Sequence, residues 1–121
     1  MHRVSWLLPF SACVLACSGS TAPSDVTGTW AAFAQPVVGS GHTMTITQRG
    51  TAVSGTGTYS VEAGRGGTIV IVGTYARPHL ALQFSYDTGS ISQFTALVSD
   101  SRIVGVEAFD GVRDSLTFTR Q

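Results

Sequence analysis

The chain has 121 residues, of which 43% are hydrophobic and 12% are charged, and its formal net charge is zero. This composition excludes a disordered polar chain, because enough apolar area is present to offset the entropy lost on ordering. It also excludes a strongly charged surface for nucleic acid, since there is no lysine and the arginines are scattered singly. We therefore expect one packed domain and no nucleic-acid partner.

The first element in chain order has the three parts of an export signal. Met1-His2-Arg3 is short and positively charged, and residues 4–16 carry no charge. This apolar run is shorter than the roughly 18–20 residues that a membrane-crossing helix needs. We expect residues 1–16 to be a cleaved signal peptide, followed by a tether at 17–25 and a folded domain at 26–121.

Val14-Leu15-Ala16-Cys17 resembles the bacterial lipobox, in which small or apolar residues precede an acylated cysteine that becomes the new N-terminus. The resemblance implies at least two acyl chains on Cys17, which is enough for stable anchoring in a lipid bilayer. Ser18 after the cysteine is similar to an outer-membrane sorting signal. The resemblance therefore implies an outer-membrane lipoprotein that faces the periplasm. The alternative is an ordinary secretory leader cut near Ala16 or Ala22.

From Val26 onward, short runs rich in threonine, valine and aromatic residues alternate with glycine, aspartate or proline. This rhythm predicts an antiparallel all-β domain. The expected strands are 27–34, 42–48, 53–61, 68–75, 79–86, 91–98, 102–108 and 114–120. Alternation of apolar and polar residues within them predicts one buried face and one exposed face. Eight strands joined by short hairpins predict an up-and-down barrel, because closure removes the sheet edges.

Gly28-Thr29-Trp30 on the first strand and Phe118-Thr119-Arg120 on the last resemble the two ends of calycin barrels, the group that contains lipocalins and avidins. The resemblance implies that Trp30 packs across one barrel end beneath Arg120, with Gly28 in the same structural closure. Biotin binding is disfavoured, because avidin pockets use further tryptophans and none follows Trp30.

An eight-stranded barrel is either filled by side chains or holds one small ligand. Tyr59, Tyr75 and Tyr86 are the ligand-contact candidates, because a phenol offers apolar area and a hydrogen-bonding tip. The alternative is that they complete the core or the rim. The glycine-rich run 62–68 is expected to form a loop over one mouth of the barrel, with Arg65 as the basic residue that a ligand would meet.

Residue types that carry catalysis or bind metal form no recognisable pattern in this sequence. With Cys13 in the leader and Cys17 acylated, the folded domain has no free thiol. His42 and His79 have no second ligand at metal spacing, and we expect both on the surface. Glu107 is expected to point inward, where a carboxylate needs an arginine or tyrosine partner. We therefore predict no enzyme, no metal site and no cofactor.

Two functions are compatible with these features. The first is a membrane-anchored lipoprotein whose lipocalin-like barrel binds a small apolar or amphipathic ligand. The second is an envelope structural or protein-interaction lipoprotein whose barrel is filled by side chains. Residues 69–72 and 103–108 have little polar character on either face, which favours an outer surface covered by a second subunit in a homo-oligomer, by the terminal tether or by the membrane surface.

Overall fold

The computed structural model describes residues 22–33, 41–61 and 65–121, which form one closed antiparallel β-barrel. The predicted signal segment 1–16 and Cys17 lie outside these residues. The strands are β1 (Gly28–Phe33), β2 (Gly41–Arg49), β3 (Ala52–Val61), β4 (Arg65–Ala76), β5 (His79–Tyr86), β6 (Ile91–Val98), β7 (Arg102–Phe109) and β8 (Val112–Arg120). Each strand pairs with the next, and β8 pairs with β1. In the described part of the chain, no helix has the length and apolar character that a membrane crossing requires.

The predicted eight-stranded up-and-down barrel is confirmed. β5 and β6 have the predicted bounds, and most other strands differ from prediction by one or two residues at an end. The largest difference is in β4, which begins at Arg65 although the sequence predicts a loop through Thr68. Gly67 pairs with Tyr59 in the β3–β4 ladder. The β3 and β4 strands therefore extend further toward the hairpin tip than the glycine content of this run indicates.

The core consists of the inward-facing residues, which occupy alternating positions along all eight strands. Phe84 stacks on Phe94 with 5.5 Å between ring centroids, and Phe94 meets the Phe118 ring edge-on at the same separation. All three rings are at most 1% exposed. Burial of each ring contributes about 1.5–3 kcal/mol to the free energy of unfolding, and each ring pair adds about 0.5–1.5 kcal/mol. This aromatic cluster fills the barrel interior between its two ends.

The residues before β1 cross one end of the barrel and close it. Val26 is fully buried there, and its backbone N–H donates to Gln48 Oε1 over 2.9 Å. The Tyr75 hydroxyl donates to the carbonyl oxygen of Pro23 over 2.6 Å. An incoming ligand would have to displace these contacts, so we call this the closed end.

Trp30, Arg120 and Gly28 complete the closed end. The indole Nε1 of Trp30 donates to the Val26 carbonyl over 3.0 Å, and the ring is fully buried. The Arg120 guanidinium carbon lies 4.2 Å from the Trp30 ring centroid. A Cβ at Gly28 would meet Arg120 Nη1 at 2.9 Å, and the φ of Gly28 is +148°. The Arg120 guanidinium therefore packs over the Trp30 indole, and a side chain at position 28 would displace it.

Candidate functional site

A cavity of about 360 Å³ lies at the opposite end of the barrel, which we call the open end. It lies where β3, β5 and β7 finish and β2 begins, so side chains from distant parts of the chain meet there. Val61 and Phe109 contribute apolar walls. The ring of His42 lies on the floor, with its centroid 6.3 Å from that of Phe84 and 6.4 Å from that of Phe118. The volume suits a small molecule, since such pockets start at roughly 300 Å³.

Glu107 is the polar centre of this cavity. The hydroxyls of Tyr86 and Ser92 both donate to its Oε2 atom, over 2.5 Å in the case of Ser92. Its Oε1 atom lies 3.7 Å from His42 Nε2 and accepts no hydrogen bond from the described residues. One oxygen of this buried carboxylate is therefore fully engaged, and the other is left for a further donor.

His42, the second residue of β2, faces the same cavity. Its Nε2 atom lies 3.1 Å from the Tyr86 hydroxyl oxygen. Because Tyr86 donates its one hydrogen to Glu107, the Tyr86 oxygen accepts from His42, and this places the ring hydrogen on Nε2. Nδ1 is then a lone-pair acceptor, and it is buried with no hydrogen-bond partner among the described residues.

Tyr59 and Asp87 form a second polar pair beside the first. The Tyr59 hydroxyl donates to Asp87 Oδ1 over 2.8 Å, and the Tyr59 ring meets the Tyr86 ring edge-on at 5.0 Å. A Cβ at Gly67 would collide with the Asp87 carboxylate. Gly67 therefore leaves the space through which Asp87 reaches Tyr59.

These environments shift the ionisation of the histidine and both tyrosines. Burial lowers the pKa of His42, and the nearby Glu107 charge opposes that shift only in part. Burial, followed by the hydrogen bond to Glu107, holds the pKa of Tyr86 well above its usual value. The hydrogen bond to Asp87 raises the pKa of Tyr59. At neutral pH the cavity therefore contains a neutral imidazole and two neutral phenols beside carboxylates.

The structure brings two of the three candidate tyrosines together. Tyr59 and Tyr86 line the cavity. Tyr75 lies at the closed end, where its hydroxyl is occupied by Pro23. Arg65 lies opposite Val61 at the start of β4 and does not line the cavity.

Sequence reasoning missed His42, Asp87 and Asp114 as members of this site. His42 was expected on the surface, but its side chain is only 18% exposed. Asp114 pairs directly with Glu107 across β7 and β8, so both side chains lie on the cavity side of the sheet. Besides the candidates Tyr59 and Tyr86, the inward alternation of Glu107 was a signal in the sequence for a residue of this site.

The cavity pairs its carboxylates with hydroxyl donors. No cluster of three or more histidine, cysteine or acidic side chains that could hold a metal ion occurs in residues 22–33, 41–61 and 65–121. The hydroxyls of Tyr59, Tyr86 and Ser92 already donate to carboxylates. Glu107 Oε1 therefore remains as an acceptor beside the apolar and aromatic walls of the cavity.

The closed eight-stranded barrel is consistent with a calycin-like body. Architecture of this kind does not specify a function, because one fold supports many unrelated sites. The chain shows no significant match to any protein-family model, curated protein sequence or solved structure.

Proposed function

We propose that this chain is a membrane-anchored bacterial lipoprotein whose lipocalin-like barrel binds a small apolar or amphipathic molecule at its open end. The observation that carries the proposal is the cavity of about 360 Å³, which has apolar walls and a polar cluster at its floor. An amphipathic molecule would bury its apolar part against Val61 and Phe109 and direct its polar part toward Glu107. Cavities with this distribution of groups are typical of small-molecule sites.

Binding is tested by titrating the purified protein with N-phenyl-1-naphthylamine, a neutral apolar dye that fluoresces when it leaves water. The expected result is saturable fluorescence with one site per chain. Ser90→Trp adds a large side chain to the cavity lining and should weaken dye binding at least about tenfold, since it removes volume. Ile91→Trp is the matched control, because Ile91 is 53% exposed on the outer face. Equal binding by both variants would contradict the proposal.

Anchoring through Cys17 is supported by the sequence of residues 1–17. In a bacterial host, the mature protein should lack residues 1–16 and carry a diacylglyceryl group on the new N-terminal cysteine. Intact-mass analysis of the envelope fraction measures both changes. Cys17→Ala should abolish the lipid mass, whereas Cys13→Ala should leave the mature mass unchanged. An unmodified mature N-terminus in the wild type would refute the anchor and, with it, the location in the outer membrane.

A second candidate function is protein interaction through the outer face of the barrel. Leu97 and Val104 lie opposite each other on β6 and β7 and are 55% and 50% exposed. Val70 on β4 is 58% exposed. Apolar residues at such positions favour a partner, including a second copy of the chain. Sedimentation of the unlipidated protein tests self-association, and a monomer at high concentration would count against a homo-oligomer.

A further inference from the structure

The polar floor of the cavity combines negative charge with hydroxyl donors that are already engaged by Glu107. Glu107 and Asp114 line it, and Asp87 approaches it through Tyr59. The nearest described arginines do not balance these charges. Arg65 does not line the cavity, and Arg113 follows the opposite alternation from Asp114, so it lies on the outer side of β8.

The hydrogen bonds within the cavity leave acceptors without donors. The Tyr86 and Ser92 hydrogens go to Glu107, and the His42 Nε2 hydrogen goes to Tyr86. Glu107 Oε1 keeps a lone pair that no described residue uses, and His42 Nδ1 is buried without a hydrogen-bond partner among the described residues. A ligand acceptor, such as a carboxylate or phosphate, would find charge repulsion here and no free donor among these groups.

A cation with N–H groups would balance the negative charge of the cavity and donate a hydrogen bond to the free acceptor. Burial of a carboxylate is unfavourable unless a charge or several donors meet it, and Glu107 has two neutral donors on one oxygen. The rings of Tyr59 and Tyr86 meet edge-on at 5.0 Å, and the Tyr86 hydroxyl donates to the same carboxylate. Aromatic surface attracts cations, and a charged donor strengthens a hydrogen bond to a carboxylate.

We propose that the cavity selects a ligand whose head is a protonated amine, which donates to Glu107 Oε1 while its apolar body lies between Val61 and Phe109. This inference rests on the proposed function and adds the chemical class of the head group. Asp114 contributes its charge to the same head from the adjacent strand. Tyr59 and Tyr86 hold the carboxylates in place and flank the cation.

The test compares three probes that share one apolar body: 4-phenylbutylamine, 4-phenylbutanol and 4-phenylbutyrate. Isothermal titration calorimetry at neutral pH measures each dissociation constant with the purified protein. The amine should bind at least about tenfold more tightly than the alcohol, as one charge-assisted hydrogen bond provides. The carboxylate should bind most weakly.

Glu107→Gln removes the charge and should reduce the amine affinity at least about tenfold while leaving the alcohol affinity nearly unchanged. Circular dichroism verifies that this variant is folded. Asp114→Asn is a second variant, at an exposed position, and should weaken amine binding by a few-fold even if Glu107→Gln does not fold. Asp100→Asn is the matched control in the β6–β7 turn at the closed end, and it should bind all three probes as the wild type does.

Two outcomes separate this inference from the proposed function. If the neutral dye binds but the amine binds no better than the alcohol or the carboxylate, the head-group assignment is wrong and the binding function stands. If neither the dye nor any of the three probes binds, both are wrong. Retention of the amine preference in Glu107→Gln would also overturn the assignment to Glu107.

Discussion

His42 is the residue at which burial and charge oppose each other. Its ring packs against Phe84 and Phe118, which disfavours the imidazolium form, while Glu107 at 3.7 Å favours it. Burial is the larger effect, so the pKa of His42 lies below its ordinary value of 6.5. The remaining neighbour, Tyr86, stays protonated throughout the neutral range because its pKa is raised. His42 therefore makes the folded state sensitive to mild acid.

The sign of this sensitivity follows from proton linkage. Below pH 6.5 the unfolded chain protonates His42 while the folded protein does not, so the free energy of unfolding falls as the pH drops from 6.5 toward the lower folded pKa. Urea titrations at about pH 7.5 and about pH 5.5 measure the loss. We expect His42→Gln to lose less stability over this interval than the wild type. The exposed His79 provides the control, since His79→Gln should keep the wild-type loss, and equal losses in all three proteins would contradict the assignment.

The direction of Glu107 could be predicted, but its partners could not. Ile103, Gly105 and Glu107 alternate on one face of β7, which indicates an inward carboxylate. Tyr86 lies two strands away on β5, and its contact depends on the register of the whole sheet. His42 could not be assigned to the site for the same reason, because the closure of the barrel decides which strand ends meet.

At the scale of elements, interior glycines let neighbouring strands approach closely. Glycine inside a strand marks either a bend or a close approach of a neighbouring backbone. A Cβ at Gly73 would collide with the Ala81 carbonyl oxygen and would lie 2.8 Å from the Leu82 Cα atom. Both are backbone atoms, which cannot rotate away. Gly73 therefore marks a close approach between β4 and β5.

Gly73→Ala should lower the free energy of unfolding by about 2–3 kcal/mol, because the strands must separate to admit the methyl group. This is a large fraction of the roughly 5–15 kcal/mol typical of a small domain. Urea unfolding followed by circular dichroism measures it. Thr74→Ala, at the next and exposed position of β4, should change the stability by about 0.5 kcal/mol. If both variants were equally stable, the close approach would not constrain the barrel.

The positions of most strands could be predicted from the alternation of apolar and polar residues. The start of β4 could not, and the reason is its local glycine content. Leu80, Leu82 and Phe84 alternate with exposed or half-buried residues on β5, as predicted. The predicted start of β4, Thr68, lies three residues after its start in the structure, Arg65. The prediction excluded the run before Thr68 because glycine is depleted in strands and this run is rich in glycine. In the barrel those positions pair with β3, and the tertiary ladder outweighs the local preference.

At the scale of the whole molecule, the two ends of the barrel differ in kind. The closed end is sealed by Val26, Trp30 and Arg120, and its polar groups are hydrogen-bonded. The open end keeps a cavity in which a carboxylate oxygen and an imidazole nitrogen have no described hydrogen-bond partner. Closure of eight strands was predictable from their number and hairpin spacing. The asymmetry between the ends was not, because it depends on side chains brought together only by closure.

The most direct test of binding at the open end is an amide chemical-shift titration of ¹⁵N-labelled protein with N-phenyl-1-naphthylamine. Binding in the cavity predicts saturable shifts at the amides of Val61, Ser90 and Phe109. The amides of Gly50 and Ser101, in turns at the closed end, should stay unchanged. Shifts confined to the closed end or the outer face, or no shifts at saturating dye, would contradict the account.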